Sequence, residues 1–453
     1  MSNSAGPPGR TGLQAAGITA LVCLALAGFL LQVRVVPNLL ASPAHPVYLD
    51  PLFKPPSRTS SRLGGGGGGA ASPAGPAAAG RAAPPPDADA VRRAADRPVV
   101  IGIVGGTGQG HLFGLLASGG VSPGKPWHEP GCSYQGVPIN CTFAVGDEAL
   151  RTADGLYFHV PRHPGRIMAR KHEGQLRFAV SMESAHYYPW QDDPKYMCQY
   201  DVEATYRSCA QVPNNFHHER HLNLTTMESR LHEPEEPFES KLHAVAYINR
   251  NCNTRSVRSA VMAEWLRLHA EGKSKLAVHS YGCNANMKMP DHDDKYKVFR
   301  KYKYCITMEN SISYDYVTEK LWDGLVAGCV PIYHGTHAWA DIVPDPSAVV
   351  VYGAGGNASS VAELDALLDR VGSDKAAYER LLEWKRKPLE QLSPGYQAYR
   401  ELVRQNNECR MCIHVIKHRM EPDPLKKRYT TCLWNETWLG RAGMPKTDLP
   451  PQC

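Results

Sequence analysis

The densest run of chemistry-bearing residues lies between Tyr304 and Gly335: YCITMENSISYDYVTEKLWDGLVAGCVPIYHG. Lys303 to Met308 has the composition of a buried strand, which would deliver Glu309, Asn310 and Ser311 to a polar loop. Val317, Leu321 and Leu325 then recur at helical spacing, with Asp315 expected as the N-cap and Gly328 as the stop. That places Tyr316, Glu319 and Lys320 in the first turn of the helix. A helix start presents free N–H groups and the positive end of the dipole, and both favour an anion. Lys320 adds a full charge beside them. The combination suits a diphosphate, with a carboxylate at hand for sugar hydroxyls. An ordinary capped helix with a solvated Glu–Lys pair has the same spacing, so the pattern alone leaves both readings open.

Other segments offer weaker chemistry. Gly105-Gly106-Thr107-Gly108-Gln109-Gly110-His111 follows a strand and resembles a phosphate-cradling turn. It lacks Gly-Lys-Ser/Thr, and His111 stands where a dinucleotide fingerprint needs its third glycine. It reads as a turn at the top of the first strand. Asp291-His292-Asp293-Asp294 has carboxylates that suit a hard divalent cation, but it sits in a charged stretch that reads as a solvated linker. Cys409 and Cys412 could begin a zinc site with His414, but no second pair follows at the right spacing.

The elements that must position these residues form a regular series. Val99 to Val104 is a short apolar strand. Residues 131–240 are irregular and rich in His, Pro and Cys, and Cys132 and Cys141 bracket a short loop and could pair. From about residue 241 strands and helices alternate. Ala244 to Ile248 is a strand, and Val257, Val261, Trp265 and Leu268 mark a helix. Ala277 to Tyr281 and Val330 to Tyr333 are further strands, and Val361 to Val371 is a helix carrying Leu364, Leu367 and Leu368. This alternation predicts a parallel sheet with helices on both faces, binding ligands beyond the C-terminal ends of its strands.

Upstream, residues 13–33 form one long uncharged apolar run. At about 1.5 Å per residue it can cross a hydrocarbon layer of roughly 30 Å. It reads as a transmembrane signal-anchor after a short cytosolic tail (1–12), the alternative being a cleaved signal peptide. Arg10 favours a cytosolic N-terminus, and Arg34 works against that bias. Residues 34–97 are rich in Pro, Gly and Ala, with six consecutive glycines from Gly64 to Gly69, and read as a disordered stem. The net charge of +6 is mild and finely mixed with acidic residues, which gives no nucleic-acid-binding stripe. Four Asn-x-Ser/Thr sequons (Asn140, Asn223, Asn357, Asn435) follow the apolar run, as do all but one of the 13 cysteines. Both features fit an oxidising lumen with disulfides and glycosylation.

The string Met308-Glu309-Asn310-Ser311, then Asp315-Tyr316-Val317-Thr318-Glu319-Lys320-Leu321-Trp322, then Gly328-Cys329-Val330-Pro331, resembles the signature of the α1,3/4-fucosyltransferase family. Met308 stands where that family has Phe. Ser181-Met182-Glu183-Ser184-Ala185 resembles the acceptor-side segment carrying the family's catalytic glutamate. Asn251-Cys252 with Arg255 and Arg258 resembles the segment that opens the donor-binding domain, although Arg250 stands where Ser is common. Cys409-Arg410-Met411-Cys412 resembles a C-terminal Cys-x-x-Cys of many members, which in a lumen favours a disulfide over zinc. The wording of SMESAHYYP and AGCVP is similar to the plant and algal branch, which includes core α1,3-fucosyltransferases.

The resemblance implies an α/β, GT-B-like fold: two Rossmann-like domains facing a cleft, preceded by the membrane anchor and stem. Residues 98–240 would bind the acceptor and 241–385 the donor, GDP-fucose, with 386–453 a Cys-containing segment packing back on the body. It implies inverting transfer, with Glu183 as the catalytic base. Arg258, Lys320, Asn310, Tyr316, Glu319 and Asn251 would bind the donor, and Arg255 and Glu309 would have lesser roles. No tightly bound cofactor and no divalent metal are implied. The partners would be a glycoprotein glycan (α1,3 to GlcNAc) and the Golgi membrane, from which the catalytic body would face the lumen as a single-pass type II protein. The rival readings are a GT-B enzyme using another nucleotide sugar, a metal-dependent transferase, and an inactive lumenal carbohydrate-binding homologue.

Overall fold

The computed structural model describes residues 87–105, 121–214 (except 164 and 209), 216, 230–290 (except 284), 295–402 (except 337) and 405–420. They fall within one compact unit that holds two main β-sheets. The expected span 13–33 lies outside the described residues, as do the Asp291–Asp294 run, residues 106–111 of the glycine-rich turn, Asn223 and Asn435. Among the described residues no helix is long and apolar enough to cross a membrane.

The first sheet contains β1 (Val99–Ile103), β2 (Trp127–Glu129), β5 (Cys141–Ala144), β6 (Gly155–His159), β7 (Leu176–Ser181) and β8 (Val202–Thr205). Their order is β2-β5-β1-β6-β7-β8. Every pairing is parallel except β2 on β5. A small antiparallel hairpin of β3 (Ser133–Tyr134) and β4 (Val137–Pro138) stands beside it. The second sheet is wholly parallel: β9 (Leu242–Tyr247), β10 (Ala277–Ser280), β11 (Tyr302–Ile306), β12 (Val330–Tyr333) and β13 (Val350–Val351), in the order β10-β9-β11-β12-β13. Strands β6, β11 and β12 are buried along their whole length. Strands of a parallel sheet covered on both faces read as continuous apolar runs rather than alternating ones.

Six helices matter here: α1 (Ala88–Ala94), α2 (Asp147–Thr152), α3 (Arg258–Ala270), α4 (Glu319–Ala327), α5 (Val361–Ser373) and α6 (Asn407–Met420). Helix α3 buries Val261, Met262 and Trp265, and α5 buries Leu364 and Leu368, in one core with β9 to β12. Trp265 Nε1 and the backbone N–H of Leu276 both donate to buried Asp365 of α5, at 3.1 Å each. Helix α1 lies inside the stretch read as stem, so ordered structure reaches upstream of Pro98. Helix α6 is remote in sequence from the first sheet but packs on it, with Met411, Val415 and Ile416 in one core with Val99, Ile101 and Phe143.

The cysteines depart from expectation. Cys132 and Cys141 do not pair with each other. Cys132 bonds Cys409 and Cys141 bonds Cys412, with Cα–Cα distances of 5.3 and 5.8 Å. Residues three apart share one helix face, so a single face of α6 brings both thiols down on β5 and on the residue that enters the hairpin. This also removes both thiols from any zinc site with His414, whose ring instead lies edge-on to Phe178. Cys252 and Cys283 form a further bridge.

Candidate active site

Both sheets end at the same place. The loops after β7 and β8 in the first sheet meet the loop after β11 in the second. Ser184 Oγ lies 2.6 Å from Ser311 Oγ, both fully buried. The His186 N–H donates to Ser313 Oγ (3.0 Å), and the Ser208 N–H donates to the Asp315 carboxylate (2.9 Å). Tyr206 and Tyr316 pack edge to face at 4.9 Å in a small core with Met182 and Phe216. The juncture lies at the C-terminal ends of parallel strands, where such sheets bind ligands.

Asp315 is not the N-cap of α4. It adopts a left-handed backbone (φ 61°) and turns its carboxylate to Ser208, where it ties the two sheets together. Thr318 occupies the cap position without a side-chain cap of its own. Glu309, completely buried at the end of the β11 strand, fills that need by accepting from the Thr318 N–H (2.8 Å) and hydroxyl (2.7 Å). Tyr316 therefore precedes the helix, buried against Tyr206, whereas Glu319 and Lys320 are its first two residues. Gly328 ends the helix in the left-handed conformation (φ 65°), as the sequence indicated.

Lys320 Nζ donates to Thr318 Oγ1 (2.8 Å) and pairs with Glu319 (3.1 Å) and Glu309 (3.5 Å). Burial pulls its pKa down, but Glu319 and Glu309 outweigh that and raise it, so it stays an ammonium. Burial lifts the Glu309 carboxyl, with Lys320 opposing. Burial would also lift Glu319, but Lys320 and Lys295 hold it well below the ordinary carboxylate range.

Arg258 opens α3 and is 1% exposed. Its Nη1 donates to the Met308 carbonyl and its Nη2 to the Asn251 carbonyl, both at 3.1 Å. It thus ties the loops after β9 and β11. Among the described residues no carboxylate pairs with it, and its Nε is buried without a hydrogen-bond partner. Its charge is felt at Lys320. Buried charges are normally paired, so Arg258, a buried cation beside Lys320 with no carboxylate of its own, leaves room for an anion. Arg255, one turn earlier, is exposed and lies over the Tyr187 ring (4.8 Å), with Nη1 donating to the His186 carbonyl. Asn251 is exposed, with its side-chain oxygen accepting from Asn253 N–H (3.0 Å). Asn310 is half-buried; its carbonyl accepts from Arg255 N–H at 2.8 Å.

Glu183 follows β7 on the opposite side of the juncture. Its backbone is held by Ser181 Oγ, which accepts from its N–H (3.1 Å), and by Gln191 Nε2, which donates to its carbonyl (3.0 Å). Gln191 is in turn fixed by Arg207, a buried cation paired with fully buried Glu203 at 3.2 Å and with Asp192. Burial raises the Glu183 pKa, Lys320 opposes that rise and Glu319 adds to it. The carboxylate thus shares a field with the start of α4. Tyr206 and Arg207, and the contact of Ser184 with Ser311, were missed in the sequence, because no local spacing announces a contact made across the fold. Among the described residues no cluster of His, Cys, Asp or Glu could hold a metal ion. Asn140 and Asn357 are exposed, as a modified asparagine must be.

A carboxylate on one sheet facing a cationic helix start on the other fits group transfer between two bound substrates, and comparison with known proteins names the class. Residues 238–430 match the model of glycosyltransferase family 10 (fucosyltransferase), C-terminal. A fucosyltransferase-like protein of Arabidopsis thaliana is 28% identical over 308 residues, covering 66% of this chain and 53% of the relative. GDP-fucose protein O-fucosyltransferase 3 of Gallus gallus is 33% identical over 157 residues, 32% of this chain and 31% of the relative. The chain spans about half or less of the length of these curated relatives. A crystal structure of an alpha1,3-fucosyltransferase with GDP-fucose matches with TM-score 0.39 and 14% identity, covering 74% of this chain and 96% of the other. Likeness of that degree bears on neither chemistry nor acceptor.

Proposed function

We propose that the chain transfers L-fucose from GDP-fucose to an acceptor hydroxyl with inversion. The observation that carries this reading is a pair of neighbouring cations, buried Arg258 and half-buried Lys320, at a family 10 signature, with Glu183 facing them from the other sheet. The diphosphate of the donor lies at the start of α4. Lys320 meets it directly, Arg258 acts through its field, and Arg255 serves the exposed side. Asn310, Asn251, Tyr316 and Glu319 border nucleotide and sugar, and Glu309 holds the helix start in place. Glu183 accepts the proton of the acceptor hydroxyl as that oxygen attacks the anomeric carbon. The bond from C1 to the phosphate oxygen breaks, its electron pair leaves with GDP, and the cations meet the charge as it grows.

We read the acceptor as a glycan, with α1,3 linkage to GlcNAc, on the strength of the signature. A protein hydroxyl is the second reading, favoured by the name of the vertebrate relatives. Residues 13–33 would anchor the body in the Golgi membrane, facing the lumen. The test is transfer from GDP-fucose by the full chain to N-glycans and to folded proteins, with and without EDTA. Product that survives EDTA and disappears in Glu183→Gln supports the reading. Absence of product with every acceptor, or transfer from a different nucleotide sugar alone, overturns it.

A further inference from the structure

The charged residues above occupy one side of the juncture. The other side, around Glu183, is aromatic. The β7 loop carries Tyr187, Tyr188 and Trp190 in succession. Tyr188 and Trp190 meet edge to face at 5.4 Å, and Tyr187 and Tyr188 are 6.4 Å apart. All three are half-buried, so part of each ring faces outward. The two outer rings are anchored, and Tyr188 packs between them: the Tyr187 hydroxyl donates to the Asn253 carbonyl (3.2 Å), and Trp190 Nε1 donates to the Val160 carbonyl (3.0 Å). Arg255 lies over Tyr187. From the second sheet, the loop carrying Ser313 presents Ile312 (42% exposed) and Tyr314 (37% exposed) beside His186. Tyr188 lies close enough to Glu183 and to Arg255 to feel the charge of each.

We propose that Tyr188, flanked by Tyr187 and Trp190, is the acceptor subsite, and that it takes the apolar face of a pyranose ring. This deepens the proposed transfer reaction and rests on it. Fixed rings with outward faces, next to one carboxylate and one guanidinium, match a sugar. The C–H face of the ring packs on the aromatic surface, and its hydroxyls meet Glu183 and Arg255. Sites for small ligands combine apolar and aromatic lining with a few placed polar groups in this way. Tyr188 is five residues from Glu183 on the same loop, so a ring seated on it brings its hydroxyls near the group that must take the proton.

The test uses the full chain, GDP-fucose and free N-acetylglucosamine-terminated oligosaccharides. Tyr188→Ala should raise the acceptor KM roughly tenfold, far more than it lowers kcat. The KM for GDP-fucose should stay within about twofold, which also reports that the variant is folded. Tyr188→Phe, which keeps the ring, should restore most of the lost acceptor affinity. Oligosaccharide binding should quench Trp190 fluorescence in the parent chain and only weakly in Tyr188→Ala. An unchanged acceptor KM in Tyr188→Ala overturns the subsite while leaving the transfer reaction standing. Tyr188-dependent quenching in a chain that transfers nothing from GDP-fucose supports the subsite and overturns the reaction. Transfer to folded proteins but to no free sugar, without quenching, overturns the pyranose assignment.

Discussion

Glu183 carries the heaviest chemical burden of any single residue proposed here, and its surroundings suit it to that role. Burial lifts its pKa, which makes it a better proton acceptor than an exposed carboxylate. The sign is definite: the active form is the carboxylate, so activity falls as pH drops through the raised value. The acid limb of a kcat/KM–pH profile should therefore lie above the ordinary carboxylate range. Glu183→Gln should reduce kcat by about 10²- to 10⁴-fold and abolish that limb. A profile whose acid limb persists in the residual activity would assign the ionisation to another group. Lys320 differs in kind. Its charge serves buried Glu309 and half-buried Glu319 before any ligand binds. Lys320→Met leaves Glu309 without a counter-charge, Glu319 keeping Lys295, and should cost about 3–5 kcal/mol of stability besides activity, read as a lower urea midpoint.

Helix α4 works as an element because both of its ends are defined. Glu309 satisfies the start through Thr318, and Gly328 closes the end. A Cβ on Gly328 would need a left-handed backbone and would come 2.9 Å from Glu235 Cβ. Gly328→Ala should therefore cost at least about 1–2 kcal/mol, measured by denaturant unfolding. Since the far end of the helix carries Lys320, the same change should weaken donor binding without touching Glu183. Helix α6 is the second element of consequence. It is stapled to the first sheet by two bridges at Cys409 and Cys412. Non-reducing peptide mapping should recover Cys132 joined to Cys409 and Cys141 joined to Cys412. Replacing Cys141 and Cys412 together by Ser should cost about 2–5 kcal/mol. Recovery of a Cys132–Cys141 peptide would mean that α6 docks otherwise.

At the scale of the molecule, segments distant in sequence close the first sheet. Asn406 Nδ2, just before α6, donates to Glu129 Oε1 of β2, and Glu129 Oε2 is buried without a partner. Burial raises the Glu129 pKa from 4.5 to about 7, helped by Glu408 and opposed by Asn406. The folded state then holds a proton that the unfolded chain releases at lower pH. This contribution is full below about 4.5 and is lost as pH rises toward 7. Thermal midpoints should therefore fall across that window, and Glu129→Gln should flatten the dependence. A parent chain whose midpoint does not change over the window would show that the carboxyl is not protonated in the fold. Acidic conditions would favour the docked helix, and the bridges hold it at any pH in an oxidising setting.

Much of the second sheet was legible in the sequence because its signals are local. Apolar runs marked β9 to β12, and helical spacing marked α3, α4 and α5. Gly328 marked a stop because a left-handed position favours the residue without a Cβ. The signature pointed to the family through consecutive residues, before any fold was known. Asp315 was misread because a carboxylate just before a helix has two uses, and the choice depended on Ser208, over a hundred positions away. Cys132 and Cys141 looked like partners because they are close in sequence. Their true partners lie 277 and 271 residues on. Arg258 read as a ligand-binding cation, and only the fold shows that its terminal nitrogens are bonded to backbone carbonyls. The sequence alone determined the types and order of the elements around the second sheet, since propensity and pattern act over a few residues, whereas residues 131–240, read as irregular, hold β3 to β8. The tertiary structure decided which strand ends meet, which charges are left unpaired and which thiols touch, because contact, desolvation and field depend on distance in space.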